Sequence, residues 1–355
     1  MSDLQYEKSY AFTSGLKLRN GFCLAPLDTR TSLFDGEVSQ NDCRFYQEHT
    51  KNVGLAVVGS VYVDLAGCTV TGSMSIANDQ MVPGLANLAT AVHQQGAKVM
   101  LQLVHAGRMT NHYATNGKKV VGPSAVKGEH GMVDMPVALT NDEIETIIDD
   151  FGTATRRAIV AGFDGVEIHG ANSFLLQQFM SPLSNQRMDA YGGSLVNRMF
   201  FPMRVAQRVL KVAVEADRPF AVGYRISPEE IEPGGLSLAD NLVLMRALSH
   251  LPLDYLSLSL RHYDQPAVTL TAPATVAQIV RQFVPKLPLM VAGHIRTAAD
   301  LQSISRTGID LAAVGQQMIV DPDWPKKFRH PDTLKQRTDW TATSLGIPQS
   351  IYRFL

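Results

Sequence analysis

Eight short apolar segments, spaced roughly 40 residues apart, constrain the fold of this chain more than any other feature of its sequence. Each segment is rich in β-branched residues and bounded by turn residues, and its apolar character is continuous rather than alternating. That pattern is typical of strands buried on both faces, as in a parallel sheet. The segments are residues 22–26, 55–58, 98–103, 165–169, 220–225, 255–260, 289–292 and 311–314.

The stretches between these segments carry one-sided apolar stripes at helical spacing. Apolar residues stand at 144, 147, 148 and 151, at 205, 209 and 212, and at 238, 242 and 245. Thr140 and Glu143 have the spacing of a capping box, which predicts that the first of these helices begins there.

The alternation of strands and helices predicts an α/β fold, a (β/α)8 TIM barrel, in a single domain over residues 1–355. The longest intervals follow strands 3 and 4, so long loops are expected at 104–139 and 172–195, above the mouth of the barrel. A doubly wound open sheet is the alternative. No GxGxxG motif follows the first segment, which argues against the dinucleotide site common in such sheets.

Composition narrows the class of function. The 32 basic and 33 acidic side chains give a net charge of −1, which favours a small-molecule substrate over nucleic acid or an anionic membrane. No apolar run is long enough to span a membrane, and the first residues do not resemble a secretion signal, so a cytoplasmic protein is expected. The three cysteines, Cys23, Cys43 and Cys68, match no metal-binding or redox motif.

Polar residues at the strand ends are the candidates for chemistry, because barrels of this kind bind and react at the carboxyl ends of their strands. Gln102 within an apolar strand needs a hydrogen-bond partner, either a ligand or another core residue. Arg225 ends a buried strand, where a guanidinium needs a bound anion or a structural salt bridge. Gly293 and Gly315 follow the last two strands and could hold a phosphate on their backbone N–H groups, or only form tight turns.

His169 and Asn172 lie three residues apart just after a strand. A tight loop would point both side chains into the mouth, where they could bind one substrate oxygen and polarise a carbonyl or nitro group. The alternative is a histidine that caps the next helix and an asparagine in a turn. A metal-dependent hydrolase using His105, His169 and His294 is a further alternative, although no HxH or HExxH pair supports a metal site.

Several motifs together resemble the old yellow enzyme family of FMN-dependent reductases over nearly the whole chain. The most specific are IHGAN at 168–172, FMSPLSNQR at 179–187 and YGGSLVNR at 191–198. NGFCLAPL at 20–27, LQLVHAGR at 101–108, GYRIS at 223–227, AGHI at 292–295 and VG at 314–315 are also similar.

The resemblance implies FMN at the barrel mouth, NADH or NADPH as reductant, and hydride transfer from flavin N5 to an activated alkene, a quinone or a nitro compound. It implies that the flavin ring is lined by the backbone of Ala25, Pro26 and Leu27 and by Ser60, with Gln102 and Arg225 at the pyrimidine edge. It also implies that Gly293 and Gly315 hold the phosphate and that His169 and Asn172 bind the substrate. We interpret Arg187, Asp189 and Arg198 of the same motif as ion pairs that fix a loop.

Phe174 is the first departure from the family pattern, because it stands where the family has a tyrosine proton donor. Alkene reduction is then expected to be slow, and acceptors that need little enzymic protonation are expected to be favoured. Other donors are open, namely Tyr113 or His112 in the third loop, Tyr263 after the sixth strand, which would also contact substrate, or water.

Asp28 and Gln316 are the other two departures. Asp28 occupies a position beside the flavin, where its carboxylate would oppose reduction or, if protonated, act as a donor. It could instead point to solvent, with Thr29 in its place. Gln316 replaces an arginine near the phosphate, so FMN is expected to bind more weakly unless His294 or Arg296 compensates.

These departures keep a second class of function open, in which the flavin site has degenerated and the barrel is a binding or regulatory module. The resemblance also allows a homo-oligomer. The tail at 352–355 could reach a neighbouring subunit or pack on its own barrel.

Overall fold

In the computed structural model, residues 4–271, 273–333, 341–345, 347–353 and 355 are described, and eight parallel strands among them form a closed barrel. Each strand pairs with its neighbours in sequence, and the last strand pairs with the first through Ala312 and Phe22. This confirms the predicted TIM barrel and excludes the open sheet. The strands are β1 (Phe22–Leu24), β2 (Leu55–Tyr62), β3 (Lys98–Val104), β4 (Gly165–Gly170), β5 (Ala221–Ile226), β6 (Tyr255–Ser259), β7 (Leu289–Ala292) and β8 (Leu311–Val314).

Helices connect and surround the strands. They are α1 (Gln40–His49), α2 (Val82–His93), α3 (Asn141–Val160), α4 (Leu175–Met180), α5 (Leu195–Ala213), α6 (Leu238–Leu248), α7 (Val276–Phe283), α8 (Ala298–Arg306), α9 (Gln316–Val320), α10 (Trp324–Lys327), α11 (Ala342–Leu345) and α12 (Gln349–Tyr352).

The predicted helical stripes face the barrel. In α3 the side chains of Ile144, Ile148 and Phe151 are buried, and the valine stripe of α5 is buried in the same way. The capping box is present, since Thr140 Oγ1 accepts from the N–H of Glu143 and the Glu143 carboxylate accepts from the N–H of Thr140. Helix starts are therefore encoded locally, while burial of the stripes supplies most of the stability.

Each strand is buried on two faces, which explains its continuous apolar character. The outward side chains, such as Val58, Leu101 and Ile168, pack against the helices. The inward side chains, such as Cys23 and Met100, form a separate apolar cluster inside the barrel.

Two strands end more than one residue away from the predicted position. β1 ends at Leu24 rather than at Pro26, because proline has no N–H with which to continue the ladder. β2 continues past Val58 to Tyr62, so Ser60 lies inside a strand rather than after it. The register with β3 shifts between Val58 and Val61, which is a β-bulge that the residue pattern did not reveal.

A small hairpin at the amino-terminal end of the chain closes one end of the barrel. Its strands, Tyr10–Ala11 and Lys17–Leu18, pair antiparallel, and Phe12 packs within the interior cluster. The ring of Phe12 stacks on Tyr255, with centroids 5.5 Å apart. Ligands therefore have access from the opposite end, where the strands have their carboxyl termini.

The long loops after β3 and β4 are tied together by Arg187. Its Nη1 donates to the carbonyl oxygens of Pro123 (3.0 Å) and Leu139 (2.5 Å), and the guanidinium pairs with Asp189. Arg198 Nε donates to the Met180 carbonyl at 2.8 Å. These contacts fit the loop-fixing role expected of the motif and hold both loops at the mouth.

Candidate active site

A cleft of about 400 Å³ opens at the carboxyl ends of β1, β5, β7 and β8. It brings together seven of the residues expected to hold FMN and the two suggested to compensate for Gln316, His294 and Arg296, and it adds Arg261. The seven are Ala25, Pro26, Leu27, Arg225, Gly293, Gly315 and Gln316.

Arg225 lies at the inner end of this cleft and is 7% exposed. Its Nη2 donates to Ser259 Oγ at 3.0 Å, whereas Nε and Nη1 are buried and have no hydrogen-bond partner within the protein. Burial lowers the pKa of the guanidinium, which is partly opposed by the charge of Glu167. A buried cation with two unused donors is suited to an electron-rich acceptor on a ligand.

His169 and Asn172 come together beside Arg225. Asn172 has a left-handed backbone with φ of 57°, and its Oδ1 accepts from Ser259 Oγ at 3.0 Å. Burial lowers the pKa of His169 well below 6.5, and the nearby charge of Arg225 lowers it further. The imidazole is therefore neutral near pH 7 and can donate one hydrogen bond. The bond from Ser259 fixes the Asn172 amide, because Oδ1 is the acceptor and Nδ2 remains a donor.

Phe174 packs against the histidine. The two rings meet edge to face with centroids 5.1 Å apart, and Phe174 also contacts a small apolar cluster that includes Cys68 and Ala114. The aromatic ring therefore occupies the wall beside His169 without supplying a hydroxyl group.

The inner end of the site contains a buried network that the sequence did not reveal. Gln102 Nε2 donates to Glu167 Oε1 at 2.7 Å, and Tyr255 OH donates to Glu167 Oε2 at 2.9 Å. Glu167 is fully buried, and burial raises the pKa of its carboxyl group, which the charge of Arg225 opposes. A glutamate within the apolar segment 165–169 was the available signal, because its side chain needs partners inside the barrel.

Asp28 and Ser60 lie on the β1–β2 side of the mouth. The Asp28 carboxylate accepts from Thr69 Oγ1 (2.8 Å) and Ser73 Oγ (2.7 Å), so it points neither to solvent nor into the cleft. Burial raises the pKa of this carboxyl group. Thr29 does not take its place, because its hydroxyl donates to Asp42 of α1. Ser60 is buried in β2 beside Gly59, which forms a bridge with Leu27.

The structure also places Tyr263, a predicted proton donor, and Arg353, which belongs to the tail at 352–355. The Tyr263 hydroxyl donates to Asp300 Oδ1 at 3.0 Å and lines a separate cavity with Thr275, so the structure does not join it to His169 and Asn172. Arg353 Nη2 donates to the main-chain oxygen of Asp28 at 2.6 Å, which places this part of the tail on its own barrel. Phe354 lies outside the described residues.

The other proposed proton donors are in the third loop. His112 Nδ1 bonds to Asp134 at 2.7 Å, and Tyr113 is 65% exposed. Both side chains are exposed to solvent.

The outer end of the cleft is built mainly from backbone and exposed cations. Gly315 caps α9, and a Cβ on it would meet nothing closer than Ala25 Cβ at 3.7 Å. Arg261 and Arg296 line the same end, so positive charge is present although Gln316 supplies none. Arg296 was predicted from the sequence. Arg261 was not, because it follows β6, whereas the phosphate site was predicted after β7 and β8.

The two ends of the cleft fit the two ends of FMN. The orphaned donors of Arg225 suit the N1 and O2 edge of a flavin, and the glycine backbone with the outer arginines suits a phosphate.

Within the described part of the chain, His105, His169 and His294 do not form a metal-binding group. The set with metal-ligand spacing is Glu129, His130 and Glu232, outside the cleft. No described helix is long and apolar enough to cross a membrane.

Comparisons with known proteins agree with this geometry. Residues 12–334 match the model of the NADH:flavin oxidoreductase / NADH oxidase family. The chain is 39% identical over 323 residues to a probable NADH-dependent flavin oxidoreductase of Bacillus subtilis, covering 90% of this chain and 86% of that protein. It is 37% identical over 352 residues to NADH:fumarate oxidoreductase of Klebsiella pneumoniae and 34% identical over 353 residues to NADH:acrylate oxidoreductase of Vibrio harveyi. Each match covers 97% of this chain, but the chain spans only 38% and 35% of those two relatives.

Solved structures give the same result. An old yellow enzyme homologue from Zymomonas mobilis superposes with a TM-score of 0.84 at 25% identity, covering 99% of this chain and 98% of that one. Morphinone reductase in complex with tetrahydroNAD gives a TM-score of 0.83 at 26% identity, covering 99% and 96%.

Proposed function

Because the chain belongs to the NADH:flavin oxidoreductase / NADH oxidase family, we propose that it oxidises NADH through FMN held in the cleft and reduces an acceptor bound by His169 and Asn172. The family is FMN-dependent and takes its electrons from NADH or NADPH.

The proposed FMN site uses both ends of the cleft. Arg225 would face the N1 and O2 edge with its two unpartnered donors, and Gln102 would face the rest of the pyrimidine edge. When bound, FMN accepts hydride from the reductant and passes it to the acceptor. The remaining proposed contacts are the backbone of Ala25, Pro26 and Leu27 and the side chain of Ser60 along the ring, and Gly293 and Gly315 with Arg261 and Arg296 at the phosphate.

The pairing of His169 with Asn172 carries the proposal for the acceptor. A neutral imidazole and an amide held by Ser259 can both donate to one oxygen atom, which stabilises negative charge that develops there. Because Ser259 also accepts from Arg225, Asn172 and the cofactor cation belong to one hydrogen-bonded unit.

Phe174 indicates which acceptors are favoured. Reduction of an activated alkene needs a hydride at one carbon and a proton at the other, and Phe174 has no proton to give. A quinone or nitro oxygen can take its proton directly from water at the open mouth. We therefore propose quinones and nitro compounds as better acceptors than enones. Asp28 does not fill the vacant role, since its carboxyl group is engaged by Thr69 and Ser73.

The fumarate and acrylate oxidoreductases suggest which part of such a reaction this chain carries out. Their names pair NADH with an unsaturated carboxylate, while this chain matches little more than a third of each. We propose that the chain corresponds to the part of those proteins that oxidises NADH, because the family model describes an NADH:flavin oxidoreductase.

The test compares wild type, Phe174→Tyr and Phe174→Leu after confirming that NADH bleaches the flavin bands anaerobically. Turnover is measured with menadione, nitrofurazone and 2-cyclohexenone. Phe174→Tyr is expected to raise cyclohexenone turnover about 100-fold, towards the usual contribution of a general acid, and to leave menadione turnover nearly unchanged. Phe174→Leu controls for loss of the ring. Unchanged cyclohexenone turnover in Phe174→Tyr, together with weak menadione turnover in wild type, would contradict the proposed acceptor class.

A further inference from the structure

Glu167 is a buried acidic residue for which the proposed reaction supplies no role. It lies on β4 inside the barrel, fully buried, and its two oxygens accept from Gln102 and Tyr255. The surrounding interior is apolar, with Cys23 and Met100 among its members. A buried carboxylate is costly unless it has partners, so its presence there calls for a compensating interaction.

The compensating cation is Arg225, and the two groups act on each other through space. Arg225 hydrogen-bonds to Ser259, and its other nitrogens, Nε and Nη1, have no protein partner, so none of them is bonded to Glu167. Glu167 still opposes the lowering of the Arg225 pKa. The carboxylate thus offsets the charge of Arg225 while leaving its donors available.

Strand register builds this arrangement. Glu167 is level with Gln102 on β3 and with Gly223 on β5, and Gly223 is level with Tyr255 on β6. A Cβ on Gly223 would lie 2.2 Å from the Tyr255 ring. The glycine therefore leaves the space through which Tyr255 reaches across β5 to the carboxylate.

Glu167 also fixes the orientation of Gln102. An ionised carboxylate only accepts hydrogen bonds, so Gln102 must turn Nε2 toward it. The amide oxygen of Gln102 is then the atom left for a ligand. A glutamine at 167 could accept or donate, and this constraint would be lost.

We propose that Glu167 is a positioning residue that sets both the charge and the hydrogen-bond polarity of the surface beneath the FMN ring, through Arg225 and Gln102, without touching the cofactor. This rests on the proposed placement of FMN in the cleft. Oxidised and reduced FMN differ in charge, so a change in the charge of this surface changes their relative affinities.

The titratable groups that face Glu167 determine the net charge of this surface. Cys23 on β1 and Tyr255 on β6 both have pKa values raised by burial and by Glu167, so both are neutral. His169 on β4 is neutral as well. Arg225 on β5 is then the cation beside one carboxylate, and replacing Glu167 by glutamine leaves a net positive surface.

The experiment measures the midpoint potential of bound FMN in wild type, Glu167→Gln and Ser257→Ala. Glu167→Gln keeps the size of the side chain, and we expect it to favour the reduced cofactor at least tenfold, a rise of about 30 mV for a two-electron couple. Ser257→Ala is the matched interior control on β6, because Ser257 Oγ is buried without a partner. We expect the potential of that variant to match wild type.

Stability and FMN affinity separate the possible outcomes. A purely structural role for Glu167 would lower the stability of the apoprotein and leave the potential of the FMN-loaded protein unchanged, and that result would overturn the inference while the proposed function stands. Failure of wild type to bind FMN would instead overturn the proposed function.

Tyr255→Phe provides the test if Glu167→Gln does not fold. Loss of one donor favours the protonated carboxyl, so the potential is expected to rise below the new pKa. If the potential of Tyr255→Phe equals that of wild type at every pH from about 5 to about 9, the inference is overturned.

Discussion

The two ends of the cleft are built by different means. At the ring end, Gln102, Glu167, Arg225 and Tyr255 lie inside the barrel, and each is oriented by strands that pack on both faces. At the phosphate end, glycine backbone, the exposed Arg261 and the half-buried Arg296 line an open turn. The ring end is part of the folded core, so changes there disturb the fold and the site together. The phosphate end is outside the core, so binding can change there without loss of stability.

Replacement of one arginine at each end gives the largest expected contrast. Arg225→Leu leaves the Glu167 carboxylate buried without its cation, and we expect the apoprotein to lose about 3–5 kcal/mol of stability. Arg296→Leu removes a partly exposed charge and should cost no more than about 0.5 kcal/mol. Both variants should bind FMN more weakly.

Denaturant unfolding of the two apoproteins measures this contrast. Equal losses of stability would show that the ring end contributes no more to the folded core than the phosphate end does, despite its buried hydrogen bonds.

A pair of glycine substitutions sharpens the comparison by keeping the chemistry constant. In Gly223→Ala the new methyl group meets the Tyr255 ring at 2.2 Å, so we expect a loss of about 1–3 kcal/mol from overpacking. In Gly315→Ala the closest atom is 3.7 Å away, and stability should stay within about 0.5 kcal/mol. Thermal unfolding of both variants checks the difference. A stable Gly223→Ala protein would mean that Tyr255 can leave Glu167 at little cost.

The same contrast explains what could be predicted from the sequence. Glycines and polar residues after a strand are visible as local pattern, so Gly293, Gly315, His169 and Asn172 were found at the strand ends. β7 and β8 were also predicted with their observed bounds, since short apolar runs between turn residues leave little freedom.

The rest depends on contacts between distant residues. Glu167 was hidden in an apolar run, and its link to Tyr255 requires the register of three strands and the gap at Gly223. The sequence left Asp28 either beside the flavin or pointing to solvent, and it did not reveal that Thr69 and Ser73 donate to its carboxylate. No local pattern reports such partners.

Acid pH provides a further test of the ring end, because His169 is buried there in its neutral form. Its pKa is lowered in the folded state, so below about pH 6.5 the unfolded chain binds a proton that the folded chain does not. As the pH is lowered below this value, the free energy of unfolding is therefore expected to decrease by up to about 1.4 kcal/mol per pH unit because of this group.

His169→Phe should reduce that slope, whereas Phe174→Leu, which alters the neighbouring ring without removing a titratable group, should retain it. Unfolding free energies of the apoproteins between about pH 5 and pH 7 give the slopes. An unaltered slope in His169→Phe would mean that folding does not lower the pKa of His169.

The smallest expected effect tests whether the ring end extends to the acceptor. Ser259 joins Arg225 to Asn172, so Ser259→Ala should leave the Asn172 amide with only the longer contact from Ser227 Oγ, at 3.4 Å. We expect this to cost about 1 kcal/mol of acceptor binding, roughly a fivefold rise in KM. The kcat is expected to change less. Ser257→Ala is the same substitution two residues away on β6 and removes a hydroxyl without a partner, so its KM should match wild type. Steady-state kinetics with menadione distinguishes the two. Equal KM values in both variants would show that Asn172 is held by its own loop, and that the buried network ends at Arg225.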